Sequence, residues 1–237
     1  MQNKEKISYT GLEELLSLEF LKNYNNAIVY DALKYSPNSF KIIDFGAGNG
    51  TLSLIFRNKY KKETLCIEID PLNKEYLEKR NLKFYDNLDD LSKTADLIFS
   101  SNVLEHIKDD LQIMKSFNRT LKENGKLYLF VPAKMILWTK LDEIVGHYRR
   151  YEISDLKSLA LQTGFEIERI HYADFCGFFI TLLWKLFNKN NKSPLSKFSV
   201  IFYDNFIFPF SRILDKVGFK YFLGKNIVLV AKKRLII

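Results

Sequence analysis

The most constraining feature of this chain is a glycine-rich turn at the end of a short apolar strand. Phe40-Lys41-Ile42-Ile43-Asp44-Phe45 runs into Gly46-Ala47-Gly48-Asn49-Gly50, and Thr51 to Asn58 then reads as a helix. Such a turn brings backbone N–H groups and a helix N-terminus close to a ligand that a side chain would keep away. The glycines stand at 46, 48 and 50, so the third falls one position early for the Gly-x-Gly-x-x-Gly pattern of nicotinamide-binding turns.

Strand and helix signals alternate from there on. Strands are expected at Thr64 to Asp70, Lys83 to Tyr85, Ala95 to Ser100, Lys126 to Val131, Phe165 to His171 and Asn226 to Lys232. Helices are expected at Pro71 to Lys79, Asp109 to Leu121 (closed by Asn124-Gly125) and Ile153 to Thr163. This order predicts a single α/β domain over residues 1–237, with a mostly parallel sheet covered on both faces. Ahead of the turn, apolar residues at helical spacing predict a helical segment within residues 10–36. Residues 172–224 form a connection too long to lack structure of its own, and their density in phenylalanine predicts an insert of two or three helices.

Composition narrows the function classes. The chain is 47% hydrophobic, which argues for a packed core rather than disorder. The net charge of +8 points to an anionic partner: nucleic acid, a phosphorylated substrate or an acidic membrane surface. Cys66 and Cys176 stand apart with no CxxC pair or Cys/His cluster, so neither a disulfide framework nor a metal site is expected. The polar start carries no apolar targeting region, and the apolar run Phe175 to Phe187 is shorter than the roughly 20 residues of a spanning helix. A cytoplasmic protein is expected.

Three features sharpen the reading of the glycine turn. Asp44 precedes it, where its carboxylate supports the charged end of a ligand or caps the turn. Asp70 closes the second strand about twenty residues on, where a carboxylate accepts both hydroxyls of a ribose. Glu68 on the same strand is expected to face solvent or a salt bridge. After the fourth strand comes Ser100-Ser101-Asn102-Val103-Leu104-Glu105-His106, in which His106 is expected to fix local hydrogen bonds.

Together these segments resemble the class I S-adenosylmethionine-dependent methyltransferases, over about Tyr24 to Val131. The resemblance implies a Rossmann-like sheet of seven strands, with the seventh antiparallel and inserted between the fifth and sixth. It implies S-adenosyl-L-methionine as methyl donor and S-adenosyl-L-homocysteine as product. Carried over by position, Gly46, Ala47 and Gly48 line the methionine and ribose part of the donor, Asp70 holds the ribose and Pro71 borders the adenine. Asn87 and Leu88 contact the adenine, and Ser101 and Asn102 lie near the methionine end. Tyr24 reaches the donor on the same resemblance, whereas a helix tyrosine read by itself is a packing residue.

Gly146-His147-Tyr148-Arg149-Arg150-Tyr151 follows the fifth strand, and ligands of open α/β sheets sit at the carboxyl ends of strands. This stretch resembles one found in bacterial methyltransferases of surface-polysaccharide or lipid-linked chemistry. His147 has a pKa suited to taking a proton from a hydroxyl acceptor. Arg149 and Arg150 either grip an anionic group of the substrate or pair with Asp142 and Glu143 to stabilise a lid. The expected function is methyl transfer, at oxygen, to a small-molecule or lipid-linked acceptor, with the aromatic insert near a membrane surface. A nucleic-acid methyltransferase fits the charge but lacks an Asn-Pro-Pro-aromatic turn after the fourth strand, and a donor-binding protein without turnover is the remaining alternative.

Overall fold

The computed structural model describes residues 19–89, 91–187 and 197–234. Helix α1 (Lys22–Tyr35) leads into β1 (Ile42–Phe45), α2 (Thr51–Tyr60), β2 (Thr64–Ile67), α3 (Pro71–Lys79), β3 (Phe84–Tyr85), β4 (Ala95–Ser101), α4 (Asp110–Thr120) and β5 (Leu121–Pro132). Then follow α5 (Lys140–Ile144), α6 (Ile153–Gln162), β6 (Phe165–Ala173), the insert helices α7 (Phe175–Phe187), α8 (Lys197–Phe202) and α9 (Phe208–Lys216), and β7 (Asn226–Lys233). Helix α1 covers residues 22–35 of the helical segment expected within residues 10–36; residues 1–18 lie outside the described part.

The seven strands lie in the order β3-β2-β1-β4-β5-β7-β6. β7 is antiparallel to both neighbours, and the other pairs are parallel. Chain order reverses between β1 and β4, and a sheet of this kind receives ligands at that crevice. Period-two alternation sorts the side chains: Leu127, Leu129 and Val131 of β5 join the core on one face, Tyr128 and Phe130 that on the other. β7 alternates in the same way, with Ile227, Leu229 and Ala231 opposite Val228 and Val230. In the second core Phe56 meets Phe99 edge-on and Phe99 stacks on Tyr128, all three buried, and each side chain of this size contributes about 1.5–3 kcal/mol by burial.

Asn124-Gly125 does not close the helix before β5 as the sequence suggests. α4 ends at Thr120, because buried Leu121 already pairs with Ala95, and residues 122–125 bulge before pairing resumes at Leu97 with Lys126. Asn124 takes a positive φ of 62° in that bulge.

The insert is anchored by buried carboxylates. Asp204 accepts the N–H groups of Asn23 (2.8 Å) and Tyr24 (2.9 Å), so it caps α1 from 180 residues away. Asp215 accepts the Asp174 N–H, and Asp174 accepts the Ser211 hydroxyl, the Tyr203 hydroxyl and the Gly177 N–H.

Candidate functional site

The glycine turn lies at the carboxyl end of β1. Gly46, Gly48 and Gly50 all have positive φ, at 71°, 55° and 84°. The Gly46 and Ala47 N–H groups donate to the Ile67 carbonyl at 2.8 and 3.1 Å, which ties the turn to β2. A Cβ on Gly46 would lie 2.4 Å from a methyl of Val103, so the turn after β4 closes against this loop. Asp44 is buried beneath it and accepts the Ser53 hydroxyl at 2.6 Å. Burial pushes the Asp44 carboxyl up to about 7, with the Ser53 hydrogen bond opposing and the nearby Glu68 charge adding to the rise.

Glu68 does not face solvent. Its side chain is buried, and Oε2 accepts the Gly48 N–H at 2.7 Å while Oε1 accepts the N–H groups of Ile69 (2.8 Å) and Asp70 (2.9 Å). Strand β2 ends at Ile67, so Asp70 stands beyond it as the N-cap of α3 and accepts from Leu72 N at 2.8 Å, with Pro71 next in the helix. Ile69 is 76% exposed and Leu72 51%, which leaves two large apolar side chains in the open beside a buried carboxylate. Leu88 is buried nearby in sequence to the exposed Asn87, whose side chain accepts the Asp89 N–H.

Ser101 ends β4 and Asn102 follows it. Asn102 takes a positive φ of 53° and donates its N–H to the Phe130 carbonyl at 2.7 Å. A polar chain runs inward from there: Asn226 Nδ2 donates to Asn102 Oδ1 at 3.5 Å, and the Tyr24 hydroxyl donates to Asn226 Oδ1 at 3.0 Å. Tyr24 itself is packed against Phe130 and Phe208.

The loop after β5 folds back onto the turn after β4. The Tyr148 N–H donates to the Glu105 carbonyl at 2.8 Å, and His147 packs edge-on to His106 with ring centroids 4.5 Å apart. His147 Nδ1 lies 2.8 Å from Asp142 Oδ1, and Nε2 lies 3.8 Å from Glu105 Oε1. Asp142 also takes Arg150 Nε (2.8 Å) and Nη2 (3.1 Å) and the Thr139 N–H (2.8 Å). Burial would raise its carboxyl, but the His147 and Arg150 hydrogen bonds hold it well below the usual range. Glu105 is fully buried, and burial pushes it up to about 8. Burial and the neighbouring His147 push His106 down to about 4.

Both arginines are held by partners within the chain. Arg150 has only 8% of its side chain exposed and pairs with Asp142 through two nitrogens. Arg149 pairs with Asp110 and donates to the Lys108 carbonyl. Of the two partners expected for them, Asp142 is found and Glu143 is not: Glu143 instead accepts from Trp138 Nε1. Sequence reasoning missed Glu68, Ile69 and Glu105. It also expected no metal-type cluster, whereas Glu105, His106 and His147 converge.

A seven-stranded sheet of this order, with the seventh strand reversed and a glycine turn after the first, defines a Rossmann-like, class I S-adenosylmethionine-dependent methyltransferase. A family model described as a methyltransferase domain matches residues 17–170, and the chain belongs to that family. None of the curated proteins matches the sequence. Solved structures with the same fold include a SAM-dependent methyltransferase from Archaeoglobus fulgidus (16% identity, TM-score 0.65, covering 94% of this chain and all of that one). Another is a possible histamine N-methyltransferase from Thermotoga maritima (16% identity, TM-score 0.64, covering 94% and 95%). A third is phosphoethanolamine N-methyltransferase 2 from Haemonchus contortus, in complex with S-adenosyl-L-methionine (16% identity, TM-score 0.60, covering 97% and 59%).

The site suits that donor. The groups that could hold its ammonium, ribose and flat base are the positive-φ backbone at Gly46 and Gly48, the Glu68 carboxylate and the exposed apolar side chains of Ile69 and Leu72.

Proposed function

We propose that this enzyme methylates an oxygen of a small-molecule or lipid-linked, sugar-like acceptor. Within this reading the glycine turn of Gly46, Ala47 and Gly48 holds the donor, with Asp44 below it countering the ammonium. Glu68 takes the ribose hydroxyls in place of Asp70, which serves as the helix cap. Ile69, Pro71, Leu72, Asn87 and Leu88 border the base, and Ser101 and Asn102 flank the methionine end. Tyr24 acts through Asn226 on Asn102. S-adenosylmethionine, when bound, supplies a methyl carbon on a sulfonium that departs as the neutral thioether of S-adenosylhomocysteine. The chain's task is to align the acceptor, exclude water and take the hydroxyl proton. His147 is the candidate for that proton: Asp142 engages Nδ1 at 2.8 Å, which leaves Nε2, 3.8 Å from Glu105 Oε1, as the nitrogen able to accept it. Arg149 and Arg150 build the loop that presents it.

The lipid-linked acceptor is supported by one contact. Lys185 of α7 donates to the Ile136 carbonyl at 2.8 Å, so the insert meets the segment after β5. Met135, Ile136, Leu183, Leu186 and Phe187 are all exposed around that junction, and Phe198, Phe202 and Phe206 form an exposed aromatic row beyond it. A surface this apolar on a chain of net charge +8 fits the edge of an anionic membrane. No helix among the described residues is long and apolar enough to cross one. The deciding experiment is titration with S-adenosylhomocysteine followed by a screen of soluble and lipid-linked sugars for methylated product. Binding with turnover of a hydroxylated acceptor supports the reading, and absence of binding overturns it.

A further inference from the structure

Burying a carboxylate with nothing to pair it is among the least favourable arrangements in a folded chain, and native structures retain one where a ligand completes it. Glu105 comes close to this: it is fully buried, neither carboxylate oxygen has a hydrogen-bond partner, and its contact with His147 Nε2 is long, at 3.8 Å. It aims at two imidazoles. One ligand-type atom each from Glu105, His106 and His147 lie within 4.8 Å of one another, so a small contraction gives the roughly 2.0–2.2 Å bonds of a bound cation.

The surrounding bonds prepare both rings. Nδ1 of His147 is engaged by Asp142, itself fixed by Arg150 and Thr139, which leaves Nε2 as the nitrogen facing Glu105. The His106 ring is hydrogen-bonded to the Val145 backbone. A carboxylate or carbonyl behind each imidazole is the outer support that orients histidine ligands on metals.

We propose that Glu105, His106 and His147 bind a divalent first-row transition-metal cation, whose open positions take hydroxyl or phosphate oxygens of the acceptor. Two imidazoles and one carboxylate favour zinc, cobalt, manganese or iron over magnesium and calcium, which prefer sites made only of oxygen. Three protein ligands leave room for substrate. The position at the carboxyl ends of the strands, on the loop that follows β5, makes the cation part of acceptor recognition. This last point rests on the proposed function. With the cation bound, His147 would hold the metal through Nε2, and a hydroxyl acidified by the cation's charge would release its proton to water in place of the free-base role.

The test needs neither donor turnover nor acceptor. The full chain, stripped with a chelator, is titrated with Co²⁺ by visible absorption and with Zn²⁺ by calorimetry. One equivalent is expected, with cobalt bands of a coordinated nitrogen–oxygen site. Changing an outer support of a metal ligand lowers affinity about 10–100-fold, so His147→Ala and Glu105→Gln lower it by at least about 100-fold and Asp142→Asn by about tenfold. His147 is the more accessible ligand, so His147→Ala reports even if the Glu105 variant fails to fold. Absence of binding in the wild type, or unchanged affinity in folded variants, overturns the proposal. Titration of the same samples with S-adenosylhomocysteine separates the two readings: retained donor binding without cation binding removes the metal site alone, and cation binding without donor binding removes the methyltransferase assignment alone.

Discussion

Oε2 of Glu68 accepts the Gly48 N–H at 2.7 Å, so the carboxylate tied to the glycine turn is the one two residues before Asp70. The same side chain holds two further N–H groups and thereby sets the path from β2 into α3.

This relationship separates the two acidic residues by experiment. Glu68→Ala removes a charge-assisted partner worth about 1.5–3 kcal/mol, which is at least tenfold in S-adenosylhomocysteine affinity. Asp70→Ala removes a helix cap and lowers stability by about 1 kcal/mol, with the smaller effect on affinity. Calorimetry and urea unfolding on both variants check the contrast, and equal losses of affinity would return the ribose to Asp70.

Asp44 gives a pH dependence. Its carboxyl is raised from an ordinary 3.8 to about 7 by burial, so between those values the folded state holds a proton that the unfolded chain has released. Stability from this group is therefore fully present below about pH 4 and declines as pH rises toward 7. Asp44→Asn flattens that part of the stability profile, measured by urea midpoints across the range. An unchanged slope would show that the carboxyl is not the source.

The cap that Asp204 provides to α1 is accessible by substitution. Asp204→Ala leaves two N–H groups of the first helical turn without an acceptor and lowers stability by about 1–2 kcal/mol. Asp204→Asn keeps an acceptor oxygen and loses less. Thermal unfolding of the pair reads this directly.

The aromatic row predicts membrane binding. Phe198→Ser with Phe206→Ser leaves folding within about 0.5 kcal/mol per site, since both rings are exposed. It reduces co-sedimentation with anionic vesicles. Binding equal to wild type would remove these rings from the interface.

The sheet was legible because each strand carries its own apolar run and each crossover its own turn signals; the helix expected from Pro71 to about Lys79 is α3. The carboxylates were not. Glu68 and Asp70 are two apart and share a strand parity, so alternation alone could not tell which reaches the loop; the end of β2 at Ile67 decides it. The roles of Asp204 and Asp215 in fastening the insert were not legible, because their N–H partners are distant in sequence or belong to the turn between β6 and α7. The same holds for Glu105 and His147, brought together by the backbone bond from Tyr148 to Glu105 across a loop whose closure no local pattern encodes.

Strand β7 lies between β5 and β6, antiparallel to both, so the insert departs from one strand and returns through its immediate neighbour. Its two ends therefore meet at one edge of the sheet, away from β1 and β2. An ancestor with this layout could have gained or exchanged the insert as one piece hung on neighbouring strands, at the cost only of re-capping the helix that Asp204 now holds.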